Sequence, residues 1–287
     1  MDRERMRLKM IREEFIVRAP DDIYLRCKKD IPDEPVAVVL IVHGFAEHLG
    51  RYDYFVEKLN ENRIACYRFD NRGHGKSGGL MLHVESYNDY INDADLIVRK
   101  AKDEFPNLPL FMFGHSMGGF ITAIYGEKFK DSLEGQILSG AATDEPPQSN
   151  PVLKVVINTC NALFPRMRIK NDLSALISRD TDVVNKYRND PLVHDKATAR
   201  FFKQFVIEGI RYLKNNMKEY KYDCLILHGK EDKLVGYKSS ENFYNNISST
   251  DKQIKIYDNL YHEILNEPER DIVINDILIW LKNKVNY

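Results

Sequence analysis

Short apolar runs rich in β-branched and aromatic residues recur along the 287-residue chain, and between them apolar residues repeat every three or four positions. Continuous apolar runs are typical of strands buried on both faces of a parallel sheet, and the three-to-four spacing is typical of helices that cover it. This alternation predicts an α/β fold with a mostly parallel central sheet flanked by helices. The predicted strands are FIVRA, IYLRC, VAVVLIV, IACYRF, LFMF, GQILS, CLILH and QIKIY.

One interval, residues 144–222, breaks the alternation, because it contains no convincing strand and starts with several prolines. It is also too long for an ordinary connection between a strand and a helix. We therefore predict a helical cap at 144–222, inserted into a core formed by 1–143 and 223–287. Within the cap, 151–164 carries an apolar stripe at helical spacing, which indicates either a face packed on the core or one wall of an acyl channel.

The stretch FMFGHSMGGF places Ser116 between glycines where a predicted strand meets a predicted helix. An ordinary tight turn would explain Gly and Ser there. The pattern G-x-S-x-G also matches the nucleophile elbow, in which glycines let neighbouring backbone approach while the serine hydroxyl projects outward. A nucleophilic serine needs a general base and an acid that orients it, and in α/β enzymes with this elbow the acid precedes the base, both after the serine.

Candidates for both partners follow the last two predicted strands. CLILH leads to Glu231 and Asp232, and QIKIY leads to His262. Of the eight histidines, only His262 lies beyond both carboxylates, so chain order selects it as the base. Asp232 is the predicted acid because it completes the pattern HGxxD, and the adjacent Glu231 is the alternative.

A third requirement is a pair of N–H donors that bind the oxyanion formed when a serine attacks a carbonyl group. The strand VAVVLIV ends in a His-Gly turn before Phe45, and the backbone N–H of Phe45 can pair with that of Met117, which follows the serine. The elbow, the turn, the acid and the base occur together and in the required order. Their combination favours catalysis over four unrelated structural roles.

Nucleotide-binding and zinc-binding motifs also occur in part, but the residues around them argue against both functions. GHGKSG matches the dinucleotide fingerprint but no amphipathic helix follows it directly, and Asp70 stands where a P-loop needs its first glycine. His262 and Glu263 begin an H-E-x-x-H zinc motif, but Asn266 replaces the second histidine. We therefore expect no metal and no cofactor. With 42 basic and 43 acidic residues the net charge is −1, which argues against a nucleic-acid partner.

Composition and the amino terminus indicate the environment. The chain is 43% hydrophobic and 30% charged, which is typical of a globular protein. MDRERMRLKMIREEF carries charges where an export signal needs an apolar run, and four scattered cysteines fit reduced thiols better than a disulfide framework. We expect a cytoplasmic protein that acts on a small lipid or ester substrate without an obligate protein partner. Transient contact between the cap and a membrane surface is left open.

Six stretches of the chain resemble the monoacylglycerol lipase and lysophospholipase group of α/β-hydrolases. They are HGFAEHLGRY, FDNRGHGKSGG, FPNLPLFMFGHSMGG, NDPLVH, HGKEDKLV and YHEILNEPE. The resemblance extends from about residue 35 to the end and is weakest over 144–180. It implies a serine hydrolase that cleaves monoacylglycerols or lysophospholipids through an acyl-enzyme, with the cap over the acyl pocket. By position it also implies Ser116, Asp232 and His262 as the catalytic triad.

The same resemblance places four polar or small residues in the pattern HGxxEHxxRY, where they either support the loop or position a polar headgroup. These residues are Gly44, Glu47, His48 and Arg51. Several other functions use the same scaffold. The alternatives are a general carboxylesterase, a peptidase, a carbon–carbon hydrolase and a catalytically silent ligand-binding protein.

Overall fold

The computed structural model describes residues 10–147 and 149–285, and ten strands form within them. The amino-terminal nine residues, on which much of the export argument rests, lie outside the described residues. The strands are β1 (Ile11–Arg18), β2 (Tyr24–Ile31), β3 (Ala37–Val42), β4 (Ile64–Phe69), β5 (Leu110–His115), β6 (Gly135–Ser139), β7 (Arg168–Lys170), β8 (Lys196–Thr198), β9 (Cys224–Gly229) and β10 (Lys252–Tyr257).

Eight of these strands form one sheet in the order β1-β2-β4-β3-β5-β6-β9-β10. The pairs β1–β2 and β2–β4 are antiparallel, and the remaining pairs are parallel. Every residue of β3, β4, β5, β6 and β9 is buried, which agrees with their nearly unbroken apolar sequences. The predicted mostly parallel sheet is therefore confirmed.

Helices cover both faces of the sheet. One apolar layer contains buried side chains of α2, α3 and α8, and the opposite layer contains those of α1 and α9. A seven-residue π-helical turn, Lys203–Gly209, joins α6 to α7. The helices are α1 (Asp53–Glu61), α2 (Tyr87–Glu104), α3 (Met117–Lys128), α4 (Pro151–Leu163), α5 (Thr181–Asn189), α6 (Ala199–Phe202), α7 (Ile210–Asn216), α8 (Lys238–Asn246) and α9 (Arg270–Val285).

The connection between β6 and β9 contains α4 to α7 and the small antiparallel pair β7–β8. The expectation of no strand in 144–222 was wrong for this pair, because three residues are too few to produce a readable alternation of apolar and polar positions. The boundaries of core and cap at 143/144 and 222/223 stay a prediction. In the part of the chain that the structure describes, no helix combines the length and apolar character needed to cross a membrane.

The apolar stripe of α4 does not pack on the core as a whole. Ile157 is the one buried residue of this helix, whereas Val152 and Val155 are largely exposed and Val156 is 49% exposed. The helix begins at Pro151, directly after the N-cap residue Asn150, so these two residue types account for its start. The sequence pattern identified the stripe correctly but could not show that solvent lies against most of it.

Candidate active site

Ser116 lies on the turn between β5 and α3, with backbone angles φ 53° and ψ −116°. Residues other than glycine rarely adopt a positive φ, so this strain must be held by the surrounding packing. The neighbouring backbone is very close: a Cβ added at Gly118 would lie 2.0 Å from the Val42 carbonyl oxygen, and one at Gly114 would lie 2.3 Å from the Gly118 carbonyl oxygen. The turn thus has the strained backbone and close approach of a nucleophile elbow.

Asp232 and His262 are brought together at the carboxyl ends of β9 and β10. His262 Nδ1 and Asp232 Oδ2 are 2.6 Å apart, and both residues are buried. The other oxygen of Asp232 accepts hydrogen bonds from the backbone N–H groups of Leu234 and Val235 at 2.8 and 2.9 Å. The alternative acid, Glu231, is exposed. Because Nδ1 is bonded to Asp232, Nε2 is the ring nitrogen of His262 that could serve as the predicted base toward Ser116.

His228 is a second partner of Asp232 that the sequence analysis missed. Its Nε2 lies 3.0 Å from Asp232 Oδ2 and 2.8 Å from the Val235 carbonyl oxygen, so this nitrogen carries the proton. The Ser240 hydroxyl, 2.7 Å from Nδ1, then donates to the ring. The histidine is the first residue of the HGxxD pattern, but the sequence indicates only that it ends a buried strand.

The charges of the residues around His262 favour its protonated form. Burial lowers the pKa of His262, but the Asp232 carboxylate and its hydrogen bond outweigh burial and hold that pKa above its usual range. Burial raises the pKa of Asp232, and the two histidines at its oxygen outweigh this, so the aspartate stays ionised. The ring of His115 packs 4.7 Å from that of His262, and burial lowers the pKa of His115 to about 3, which keeps it neutral.

The His-Gly turn after β3 lies directly beside the elbow. A Cβ added at Gly44 would lie 3.2 Å from the Ser116 Cβ. His43 fixes the turn, since its Nδ1 donates to the Gly44 carbonyl at 2.8 Å and its Nε2 accepts from Asn71 N–H at 2.9 Å. The next residue, Phe45, lines the cavity that Ser116 lines.

Met117 is the first residue of α3, so its N–H has no carbonyl one turn earlier in the helix. This position, directly after Ser116, leaves the Met117 N–H able to bind an oxyanion, as a donor next to the nucleophile must. The oxyanion role of the Phe45 and Met117 N–H groups stays a prediction.

The polar residues Glu47, His48 and Arg51 of the HGxxEHxxRY loop are not among the residues that line the cavity beside Ser116. Glu47 accepts hydrogen bonds from Gly44 N–H, Tyr52 and Arg51. His48 Nδ1 accepts from Gly50 N–H, and its Nε2 lies 2.9 Å from an Asp190 oxygen in the NDPLVH stretch. Gly44, Glu47, His48 and Arg51 were predicted either to support the loop or to position a polar headgroup. These contacts favour loop support, and the role of the four residues stays a prediction.

Ser116 and His262 open onto a cavity of about 530 Å³ whose walls are mostly apolar. Most of the aromatic and aliphatic side chains that line it come from the connection between β6 and β9, including its π-helical turn. Among them are Leu153, Val156, Ile157, Phe201, Phe202, Phe205, Val206 and Ile210. Within residues 10–147 and 149–285 no three His, Cys, Asp or Glu side chains are grouped so that they could hold a metal ion.

A mostly parallel eight-stranded sheet with a serine on a strained turn after β5, and an aspartate and a histidine after β9 and β10, defines the class of α/β-hydrolases. Residues 33–269 match the family model Hydrolase_4, described as "Serine aminopeptidase, S33", and the chain belongs to this family.

Named relatives agree with this placement. The chain is 32% identical to the monoacylglycerol lipase of Mycolicibacterium smegmatis over 251 residues, which cover 87% of this chain and 90% of that protein. It is 29% identical to phospholipase YtpA of Bacillus subtilis over 243 residues, or 84% and 93% of the two chains. The crystal structure of a soluble variant of the Saccharomyces cerevisiae monoglyceride lipase with a substrate analog has a TM-score of 0.84 at 26% identity, covering 96% of each chain. The resemblance stated from sequence is confirmed at this level.

The contact between His228 and Asp232 yields a testable expectation. His228→Ala removes one of the donors that keep the Asp232 carboxylate ionised and aimed at His262. A hydrogen bond to a charged group contributes about 1.5–3 kcal/mol, so kcat/KM for a short ester should fall roughly ten- to a hundredfold. The measurement is steady-state kinetics, with the melting temperature recorded separately.

His83→Ala is the matched control for this variant, since His83 bonds to Thr198 and Glu85 rather than to Asp232. It should keep most of the activity. Equal kinetics for the two variants would contradict a role of His228 in orienting the acid.

Proposed function

We propose that this protein is a serine esterase that releases one long acyl chain from a small polar alcohol, as in monoacylglycerols or lysophospholipids. The observation that carries the proposal is the Asp232–His262 pair and the strained Ser116 at an apolar cavity. The names of the relatives, monoacylglycerol lipase and phospholipase, support both substrate classes.

In the first half of the reaction, Ser116 Oγ attacks the ester carbonyl while His262 Nε2 takes the hydroxyl proton. Asp232 holds the ring in the tautomer that makes Nε2 the acceptor and stabilises the imidazolium. The N–H groups of Phe45 and Met117 bind the oxyanion of the tetrahedral intermediate. When the carbon–oxygen bond to the alcohol breaks, His262 returns its proton to the leaving oxygen, and the acyl chain stays on the serine.

In the second half, His262 takes a proton from water, whose oxygen attacks the acyl-enzyme carbonyl. Collapse of this second intermediate breaks the bond to Ser116, and His262 gives the proton back to the serine oxygen. The products are the fatty acid and the regenerated enzyme.

The cavity wall supports a long acyl chain as the group that is bound. Each CH₂ that leaves water for an apolar site contributes about 0.8 kcal/mol. A cavity of about 530 Å³ is within the usual range for ligand pockets and would enclose one chain better than the three chains of a triacylglycerol.

The family description raises an aminopeptidase as the second candidate. Such an enzyme needs a carboxylate for the ammonium group of its substrate. Asp144 lines the cavity, but one of its oxygens accepts from Lys214 at 2.6 Å and the other from Asn242 at 3.4 Å. Because both oxygens of Asp144 already accept hydrogen bonds from the protein, Asp144 is poorly suited to bind a substrate ammonium group, which favours the esterase. Matched ester, amide and diketone substrates would separate it from a peptidase, a carbon–carbon hydrolase and a silent binding protein.

We further propose that the cap touches lipid surfaces. Large apolar side chains at the end of α4 and in the following loop are exposed, namely Leu163, Phe164 and Met167. Arg166, which stands between them in the chain, and Arg168 add positive charge, which would favour anionic lipids. Exposed apolar patches of this kind are a common mark of protein or membrane contact. The cytoplasmic location stays a prediction.

The triad is tested by three substitutions. Ser116→Ala should abolish both ester turnover and labelling by a fluorophosphonate. Asp232→Asn should lower the chemical rate by roughly 10³- to 10⁴-fold, because the base is misoriented. Glu231→Gln, the matched control, should change little. Ester hydrolysis by the Ser116 variant at the wild-type rate would refute the proposal, and reversed effects at the two acids would make Glu231 the triad member.

The acyl channel is tested by chain length. Val156 lines the cavity, whereas Leu163 does not and is 66% exposed. Val156→Ser should lower kcat/KM about fivefold to tenfold for tetradecanoyl esters and hardly at all for butanoyl esters, because only the long chain reaches the wall. Leu163→Ser should show no such trend. An equal loss at every chain length for Val156→Ser would show that this residue only stabilises the fold.

Lipid contact is tested by co-sedimentation with vesicles that contain phosphatidylglycerol. The double variant Leu163→Ser with Phe164→Ser should bind at least about tenfold more weakly, since two exposed apolar side chains are lost. Hydrolysis of a water-soluble butanoyl ester should be unaffected. Ile279→Ser, at a residue of α9 that is 50% exposed, is the control and should bind like the wild type. Unchanged binding of the double variant would show that this part of the cap does not contact the lipid.

A further inference from the structure

Arg51 has a largely buried guanidinium that joins carboxylates from two different loops of the candidate site. Its Nε donates to Glu47 Oε2 at 3.0 Å, and its Nη2 donates to Glu263, the residue next to His262. The guanidinium also lies 4.7 Å from the ring centre of Tyr187 in α5. The side chains of the arginine and of both glutamates are no more than 10% exposed.

Each of the two carboxylates is also hydrogen-bonded within its own loop. Glu47 Oε1 accepts from the N–H of Gly44, which precedes Phe45 in the turn beside the elbow, and from Tyr52 at 2.7 Å. On the other side, Asn266 Nδ2 donates to Glu263 Oε2 at 2.8 Å. The guanidinium is therefore a direct link between the loop after β3 and the loop after β10.

We propose that Arg51 and Glu263 are positioning residues, which hold the base loop against the oxyanion loop and fix the balance of charge beside His262. The inference rests on the proposed function, because it takes His262 as the general base. Three buried charges are costly to desolvate, and an apolar cluster of the same volume would often be as stable. A function in orientation explains why this arrangement is useful although stability alone does not require it.

The charges around His262 determine the direction in which each substitution should shift its pKa. The carboxylates whose negative charge raises the pKa of His262 are Asp232, Glu263 and Glu47, and the adjacent His115 ring is neutral. Arg51 is the cation bound to the two glutamates. Removing Glu263 therefore weakens the attraction for the imidazolium and lowers the pKa of His262, whereas removing the cation raises it.

The test is the pH dependence of kcat/KM for an uncharged, water-soluble ester. Only neutral His262 can accept the serine proton, so activity is lost as the pH falls through its pKa. For Glu263→Gln the acid limb should move down by about one pH unit, and for Arg51→Met it should move up by about one unit. The opposite directions are a result that a general loss of stability would not produce.

Arg51→Lys separates charge from geometry. The ammonium keeps the positive charge, but it lacks the planar pair of donors that reaches both carboxylates. Its acid limb should stay within about 0.3 units of the wild type, while kcat falls roughly tenfold because the two loops are no longer held together.

Asp93→Asn is the control, since it disrupts another buried pair in which Asp93 accepts two hydrogen bonds of 2.7 Å from Arg72. It should lower the melting temperature and leave the acid limb in place. Acid limbs that do not move in Glu263→Gln and Arg51→Met, or that move in the same direction, would overturn the inference. If Arg51→Met does not fold, Glu263→Gln carries the test alone, and an unmoved acid limb in that variant overturns the inference.

Different results would overturn the proposed function and the role of Arg51 and Glu263. Ester hydrolysis that survives Ser116→Ala would refute the proposed function and the inference with it. If Ser116→Ala is inactive while Glu263→Gln has the wild-type pH profile, only the inference fails.

Discussion

The arrangement of the site depends on how closely the elbow approaches its neighbouring strands. Gly118 lies against the end of β3, and no side chain fits between them. The elbow is also bonded to β6 and the residues after it, since Ser116 N–H donates to the Ser139 carbonyl at 3.0 Å and the Ser116 carbonyl accepts from Ala142 N–H at 3.1 Å. Because β3, β5 and β6 are parallel, their carboxyl ends meet at this point, and the loops after them are brought beside one serine.

A second constraint is the number of donors around one buried carboxylate. Asp232 accepts from His262, from His228 and from two backbone N–H groups, so its burial does not leave it short of hydrogen bonds. An aspartate bonded in this way remains charged and holds one tautomer of the neighbouring imidazole. His115 stays neutral although its ring packs against that imidazole, so it adds no positive charge that would oppose the attraction between His262 and Asp232.

Sequence predicted the parts of the molecule whose signals are local. Buried parallel strands leave continuous apolar runs, and the candidate residues Ser116, Asp232 and His262 stand in short patterns at strand ends. The contact between Arg51 and Glu263 joins residues 212 positions apart, and no short pattern encodes it. The role of His228 was also hidden, because a histidine at the end of a buried strand is equally consistent with simple packing. For α4 the apolar spacing was readable, but whether that face meets the core, a cavity or solvent is set by tertiary structure.

Val156 is half-exposed and at the same time lines the cavity that contains Ser116. Its neighbour Val155 is largely exposed and is not part of the cavity lining, so α4 presents apolar side chains both to the cavity and to the outer surface. An acyl chain held in a lipid layer against that surface would reach the serine without first crossing water, so the unfavourable transfer of its tail into solvent is avoided. For such a substrate the rate would depend on its mole fraction in the layer rather than on its concentration in bulk solution, and dilution with inert lipid would slow the reaction at constant total substrate.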